Sequence, residues 1–585
     1  MIPPVERKRI VTHKKALALA SSVAALTLAA CSTTTPSMMT TMEAAAEAPP
    51  PTGNTIAGRY LAAKFAAASG DVKGAATFYA ETLKEDPENA DLLVRAFMYA
   101  AESGDIEHAI ALSDRVLAKD ADNRPARLIR QAGAFMKKDY LAVAKDADPS
   151  SSGAFSLLTN NVVSAWAIAG TGNTEGALAM LDGLMTQRGV DGLRLMHKAL
   201  VLDQAGRDDE ADAAYRQALS VMGMGPRLSD AYGRFLARKG RYDEAKTLYT
   251  RVATENPGHP VATAALRDIE ARRSFQPLVS TPAEGVAEAL FGIAASLNDR
   301  RSIEVAILYL NITLYLRPNF DLARVLLASH YERMQRFDMA NGFYSRIQSN
   351  SPYYAMTQVQ AAINDGRMGN PDAGVAKLKT LTGRGSQDAD AWTALGDLLR
   401  SSDRYSEAVG AYDKAIEALK GDDRRLVQAY YARGVSLERS DRWQDAERDF
   451  RQALKMNPER ADVLNYLGYT WVDKGVNLQE AVSMLEKARA LRPLDGNIAD
   501  SVGWAYYKLG RYQEAARTLE EAVQLAPAAS DVNDHLGDAY WRIGRRIDAR
   551  FQWQHALALD PDTKQKEVIQ RKLQFGLDAV SASGQ

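Results

Sequence analysis

Tyr430-Tyr431-Ala432-Arg433-Gly434-Val435, Leu464-Asn465-Tyr466-Leu467-Gly468-Tyr469, Ala499-Asp500-Ser501-Val502-Gly503-Trp504 and Asn533-Asp534-His535-Leu536-Gly537-Asp538 are four writings of one phrase, set 34 or 35 residues apart. Each is followed by an alanine (Ala446, Ala481, Ala515, Ala549), then a second alanine (Ala453, Ala488, Ala522, Ala556), then a proline (Pro458, Pro493, Pro527, Pro561). A period of this length with small residues at fixed offsets is what two antiparallel helices per unit require when every unit stacks on the next. Glycine stands where the first helix crosses the second, and the first alanine faces it. Phe450, Leu485, Leu519 and Trp553 follow at helical spacing and fill the space between successive units. Proline, which lacks an amide proton and keeps its predecessor out of the α region, closes each second helix.

Working outward, the small residue that opens the second helix recurs upstream as Ala75, Ala109, Ala142, Ala177, Ala211 and Ala245, at spacings of 33 to 35. The turns before it repeat as Gly70-Asp71, Gly104-Asp105, Gly172-Asn173, Gly206-Arg207 and Gly240-Arg241, where glycine takes the left-handed cap that ends a helix. The next anchor, Ala306, lies 61 residues beyond Ala245. Residues 258–285 therefore read as an insertion or hinge between an N-terminal array (56–257) and a C-terminal array (286–561). The insertion holds a helical stretch, Ala262 to Arg273, and an irregular one, Phe275 to Pro282. The period resumes at Ala306, Ala340, Gly374 and Ala408, and Lys420-Gly421-Asp422-Asp423 is a second, short insertion. Residues 562–578 are expected to form a capping helix with Val568, Ile569, Leu573 and Leu577 on one stripe, ahead of a disordered tail, 579–585. The expected fold is all-α, a solenoid superhelix of about fourteen helix pairs.

The order large, large, glycine or alanine, aromatic, alanine, aromatic, alanine, proline resembles the tetratricopeptide repeat family, most closely in the four units from Arg425 to Pro561. A solenoid of this kind has a concave surface lined by the first helix of each unit, with positions two, five, nine, twelve and thirteen facing inward. In the last four units these include Tyr431, Asn465, Tyr469, Asp500, Trp504, Tyr507, Asp534, Asp538 and Trp541, the candidate partner-binding groove. Aromatics flanked by Asn and Asp make an interface core. Acids outnumber bases there, so the expected partner is a protein or extended peptide with basic or apolar side chains.

The 585 residues carry 72 basic and 73 acidic side chains, which gives no basic excess for nucleic acid. One cysteine rules out a disulfide framework within the chain, and the seven histidines show no zinc-ligand spacing. Gly170-x-Gly172-x-x-x-Gly176 has neither a preceding strand nor a following lysine and reads as an inter-helix turn, not a phosphate loop. His535 and His555 sit on different helices of one unit and read as ordinary side chains. No catalytic constellation rises above background, and no enzyme activity, cofactor or metal is expected.

The beginning of the chain is informative in a different way. Arg7, Lys8, Arg9, Lys14 and Lys15 precede an uncharged run, Ala16 to Ala30, too short to span a bilayer comfortably. It ends Leu28-Ala29-Ala30-Cys31, which resembles the bacterial lipobox. That resemblance implies a signal peptide (1–30), a covalent lipid on Cys31 and a Ser/Thr/Pro/Ala-rich tether (31–55). Ser32 in place of aspartate implies the outer membrane, facing the periplasm. The plan of lipobox, tether and repeats, with Tyr466-Leu467-Gly468-Tyr469-Thr470 and Asp500-Ser501-Val502-Gly503-Trp504 in the closing block, resembles the lipoprotein adaptors of carboxyl-terminal processing proteases. It implies a periplasmic serine protease and cell-wall hydrolases as partners. The competing expectation is an assembly factor for a pilus, a polysaccharide exporter or an outer-membrane biogenesis machine. A hidden enzyme would need a catalytic module that residues 258–285 are too few to form.

Overall fold

The computed structural model describes residues 55–146, 154–186, 191–297, 299, 302–383, 388–419 and 424–578. The lipobox with Cys31, the signal peptide, all of the tether but Thr55, the Lys420–Asp423 insertion and the tail lie outside them. The chain divides into two compact units, Met1–Thr357 and Gln358–Gln585. Among the described residues every regular element is helical.

The first unit opens with α1 (Ile56–Ala68), α2 (Val72–Glu85), α3 (Ala90–Ser103), α4 (Ile106–Lys119), α5 (Arg124–Met136), α6 (Tyr140–Lys145), α7 (Ala154–Gly170), α8 (Thr174–Asp182), α9 (Asp191–Gln204), α10 (Asp208–Met222), α11 (Pro226–Arg238) and α12 (Tyr242–Glu255). It continues with α13 (Pro260–Glu270), α14 (Pro282–Ser296), α15 (Ile303–Leu316), α16 (Asp321–Arg333) and α17 (Phe337–Tyr344). The division between units falls within α18 (Tyr354–Arg367). After it come α19 (Pro371–Thr382), α20 (Ala389–Ser401), α21 (Tyr405–Ala418), α22 (Arg425–Glu438), α23 (Trp443–Met456), α24 (Ala461–Lys474), α25 (Leu478–Leu491), α26 (Gly496–Lys508), α27 (Tyr512–Leu525), α28 (Ser530–Arg542), α29 (Arg546–Ala558) and α30 (Thr563–Phe575).

The periodic residues do what their spacing predicts. Ala75, Ala109, Ala177, Ala211, Ala245, Ala306, Ala340, Ala408, Ala446, Ala481, Ala515 and Ala549 are all completely buried. The third unit departs by one residue: Ala142 is exposed and Val143 is buried in its place. Val143 lies 34 residues from both Ala109 and Ala177, so a strict period outranked side-chain size there. Gly70, Gly104 and Gly172 adopt the left-handed conformation (φ 77°, 86° and 85°). The next residues, Asp71, Asp105 and Asn173, cap α2, α4 and α8 by accepting backbone amides. The glycine of the repeated phrase makes room chiefly for the large residue of its own unit: a Cβ on Gly537 would lie 2.4 Å from Trp553 Nε1, and one on Gly434 2.7 Å from the Phe450 ring. Phe450 and Trp553 are fully buried and lock each pair together.

The stretch read as an insertion or hinge lies inside the first unit. α13 stays against α11 and α12, and the segment after it buries Leu278 and Val279. The chain then turns back: α14 packs on α5, α7 and α9, and α15 packs on α3, α4 and α5. The boundary between compact units consequently falls at Thr357/Gln358, beyond the 258–285 stretch. In the second unit, helices pack on their chain neighbours and first helices on first helices, as α24 on α26 and α26 on α28.

Candidate functional site

The same repeat positions face two different environments. In the third to sixth units, positions five and nine carry Leu128, Ala132, Val162, Trp166, Met196, Leu200 and Asp230, all buried, with Arg234 half-buried. α14 and α15 cover this inner face. Gly285 of α14 admits the Trp166 indole so closely that a Cβ there would lie 2.2 Å from it. Trp166 Nε1 donates to His197 Nδ1 at 3.0 Å. On α15, Asn311 Nδ2 donates to the carbonyls of Ala101 (3.0 Å) and Glu102 (2.8 Å) at the end of α3, where Ala101 also accepts the Gly104 amide. Tyr315 donates to Glu107 at 3.0 Å. Glu288 of α14 is buried between Arg227 and Arg317, which also flank the Phe320 ring at 5.0 and 4.8 Å. The first unit fills its own groove.

In the second unit the first helices α22, α24 and α26 present Tyr431, Asn465, Tyr469, Trp504 and Tyr507 half-buried. Tyr431 meets Phe450 and Tyr466 with ring centroids 6.1 and 6.0 Å apart. Trp504 stacks on Tyr507 (4.7 Å, 4° between planes) and on His535 (4.0 Å, 16°). His535 Nδ1 lies 2.9 Å from the buried Asp500 carboxylate. Burial by itself would lower the His535 pKa, but Asp500, with Asp534 and Asp538 behind it, raises it on balance. Burial, with Asp500, Asp473 and Asp531 nearby, pushes the Tyr469 phenol up to about 12. Asn465 Oδ1 is buried with no hydrogen-bond partner.

Asp500 is thus buried and taken by His535, Tyr507 accepts from Arg542 at 3.2 Å, and three further predicted groove residues are engaged by the C-terminal end of the chain. Asp534 and Asp538 are buried, and the Lys572 ammonium of the capping helix α30 sits on both, at 2.9 and 2.8 Å. Asp538 also accepts from Trp553 Nε1 at 3.0 Å. Burial and the neighbouring Asp534 charge push Asp538 up to about 6 against the pull of Lys572. Trp541 donates from Nε1 to Asp578 at 3.0 Å, and its ring lies against Gly576. The far end of the groove is thus closed by α30 and the residues just after it.

Sequence reasoning missed His535 and Lys572. Lys572 lies one period of 34 residues beyond Asp538, so the repeat itself places it opposite that carboxylate. His535 gave no such signal, because its partners Asp500 and Trp504 belong to the preceding unit. Among the described residues no group of three or more His, Cys, Asp or Glu could hold a metal ion, and no helix is long and apolar enough to cross a membrane.

Tetratricopeptide-repeat profiles match residues 66–132 and 196–260 of the first unit and residues 387–459, 431–496 and 500–529 of the second. A TPR repeat-containing protein of Pseudomonas aeruginosa is 30% identical over 115 residues, 20% of this chain and 19% of that protein. The probable UDP-N-acetylglucosamine–peptide N-acetylglucosaminyltransferase SPINDLY of Solanum lycopersicum is 28% identical over 107 residues, 18% of this chain and 11% of that protein. The chain thus matches about a fifth or less of the length of these relatives. YrrB, described as a TPR protein with an unusual peptide-binding site, matches at 22% identity with a TM-score of 0.27, over 33% of this chain and 97% of its own. Both units carry tetratricopeptide repeats at the residues so matched.

Proposed function

We propose that the protein is a non-catalytic, lipid-anchored adaptor of the bacterial envelope whose second unit grips an extended segment of a partner protein. The observation that carries this reading is the contrast between the two inner faces. One is filled by α14 and α15; the other leaves Tyr431, Asn465, Tyr469, Trp504 and Tyr507 half-buried with, among the described residues, no further helix of its own unit laid across them. Aromatic side chains bordered by carboxamides and carboxylates supply large contact area and orienting hydrogen bonds.

The resemblance of the closing block to protease adaptors makes a periplasmic carboxyl-terminal processing protease the expected partner, with cell-wall hydrolases as the substrates brought to it. Anchoring would raise the local concentration of both on the outer-membrane surface. Lipid on Cys31 would supply that anchoring, since each buried methylene contributes about 0.8 kcal/mol and several chains together hold a protein on the bilayer. Two measurements test this. Envelope extracts passed over the full chain should yield the protease, and the double variant Tyr469→Ala/Trp504→Ala should not retain it; equal recovery by both would remove the groove from the account. Palmitate labelling lost in Cys31→Ser supports the anchor, and unchanged labelling sinks it.

A further inference from the structure

We propose that the concave face of α24 beside α26 is a receptor for a cationic side chain, arginine or lysine, carried by the extended partner segment, with Tyr469 as its aromatic face and Asp473 as its counter-charge. The inference rests on the groove reading above and specifies what the groove selects.

Asn465, Tyr469 and Asp473 follow one another at intervals of four on α24 and so share one stripe. Asp500 and Trp504 hold the corresponding places on α26, which packs beside α24. The charges in this region are unbalanced. Asp473 is exposed and makes no ion pair among the described residues, Asp500 has only His535, and Asp531 accepts from the uncharged Gln565 at 2.7 Å. The neighbours that shift Tyr469 are these three acids, with no base among them. Its hydroxyl makes no hydrogen bond to the described chain. Lys508 lies 5.1 Å from the Trp504 ring centre, and Arg542, held by Asp578, donates to the Tyr507 hydroxyl at 3.2 Å; neither forms an ion pair with Asp473.

A second observation, independent of the acids, points to a ligand in the same place. Asn465 keeps its Oδ1 buried without a donor one turn before Tyr469, and a half-turn of its amide would offer that carbonyl to a peptide or guanidinium N–H. Rings beside carboxylates that lack partners attract cations through both the π face and the net charge. A carboxylate ligand would meet the reverse field.

The test uses the full chain and three fluorescein-labelled twelve-residue peptides of alternating Ser and X, with X as Arg, Lys or Gln, titrated by anisotropy at 50 and 300 mM salt. The Arg and Lys peptides should bind at least tenfold more tightly than the Gln peptide and weaken at the higher salt. Tyr469→Ala should weaken the Arg peptide about 10-fold and Asp473→Asn about 3-fold, while Tyr469→Phe, which keeps the ring, stays within about 2-fold, in line with an exposed-to-desolvated cation–π contact. Circular dichroism of each variant checks that the solenoid is intact. Equal binding of Gln and Arg peptides, or wild-type affinity in both Tyr469→Ala and Asp473→Asn, overturns the cation receptor. If the Gln peptide binds as well as Arg and still depends on Tyr469, only the cation preference falls and the groove stands. If Tyr469→Ala/Trp504→Ala also leaves protein-partner recovery unchanged, the groove reading falls with it.

Discussion

Two stacks of the same repeat use their inner faces in opposite ways. In the first unit, positions five and nine of the middle repeats are mostly apolar and buried, and the chain's own α14 and α15 are the occupants. In the last four repeats of the second, the same positions are aromatic, amide and acidic apart from Val435, and the groove stays open until α30 closes its end. A groove that must hold a permanent, covalently connected occupant is built like a core. One that must release its occupant keeps polar groups that water can satisfy in between. The choice between the two is written in a handful of side chains per unit, while the framework residues are shared.

Lys572→Met should have the largest effect, because it leaves Asp534 and Asp538 buried against each other with no counter-charge. A loss of about 3–5 kcal/mol is expected for breaking a buried ionic group from one side. Hydrogen exchange should report it in α28 to α30 while the first unit keeps its protection. Equal loss throughout the chain would contradict the independence of the two faces.

Gly285→Leu attacks the filled groove. The new side chain collides with the Trp166 indole, so α14 must shift, at a cost of about 1–3 kcal/mol for overpacking. Faster exchange in α5, α7, α9 and α14, with α22 to α28 unchanged, is the expected pattern. Asn311→Ala should cost about 1 kcal/mol by removing the side-chain donor to the Glu102 and Ala101 carbonyls, of which only Ala101 keeps a backbone amide, seen as a lower urea midpoint of the first unit only.

The smallest effect is a pH dependence of the second unit. His535 is raised above its ordinary value, so its stabilising contribution is complete below about pH 6.5 and is lost as pH rises through the folded pKa. Asp538, pushed up from the ordinary carboxylate range to about 6, acts with the same sign between the two values. The denaturation midpoint of the second unit should therefore fall as pH rises from 6 to 8, and His535→Gln should flatten that slope. A rising midpoint would overturn the assignment of Asp500 as the partner of His535.

Much of this is legible in the amino-acid sequence. The twelve fully buried anchor alanines follow from the period, as do the helix caps. The single-residue departure at Val143 arose because Ala142 satisfied a preference for small side chains while the geometry asked for an unbroken interval of 34. The filled groove was also written in the sequence. Leu128, Val162, Trp166, Met196 and Leu200 stand at positions that in the last four units hold Tyr, Asn, Asp and Trp with Val435 as the one aliphatic, and a run of apolar residues there signals an occupant. What no local pattern could supply was the identity of that occupant. The contacts of Asn311 with α3 and of Glu288 with Arg227 join parts of the chain 209 and 61 residues apart, and only the folded path brings them together. His535 escaped for a related reason, since its role appears only when Asp500 and Trp504 of the preceding repeat are set beside it.

Photo-crosslinking in the living cell bears most directly on the contrast between the faces. Benzoyl-phenylalanine placed at Tyr469 in the open groove, and separately at Val94 on the exposed part of α3, reports which face a partner touches. A cross-linked partner, identified by mass spectrometry, is expected from position 469 and none from position 94. Cross-links from position 94 with none from position 469 would contradict that contrast.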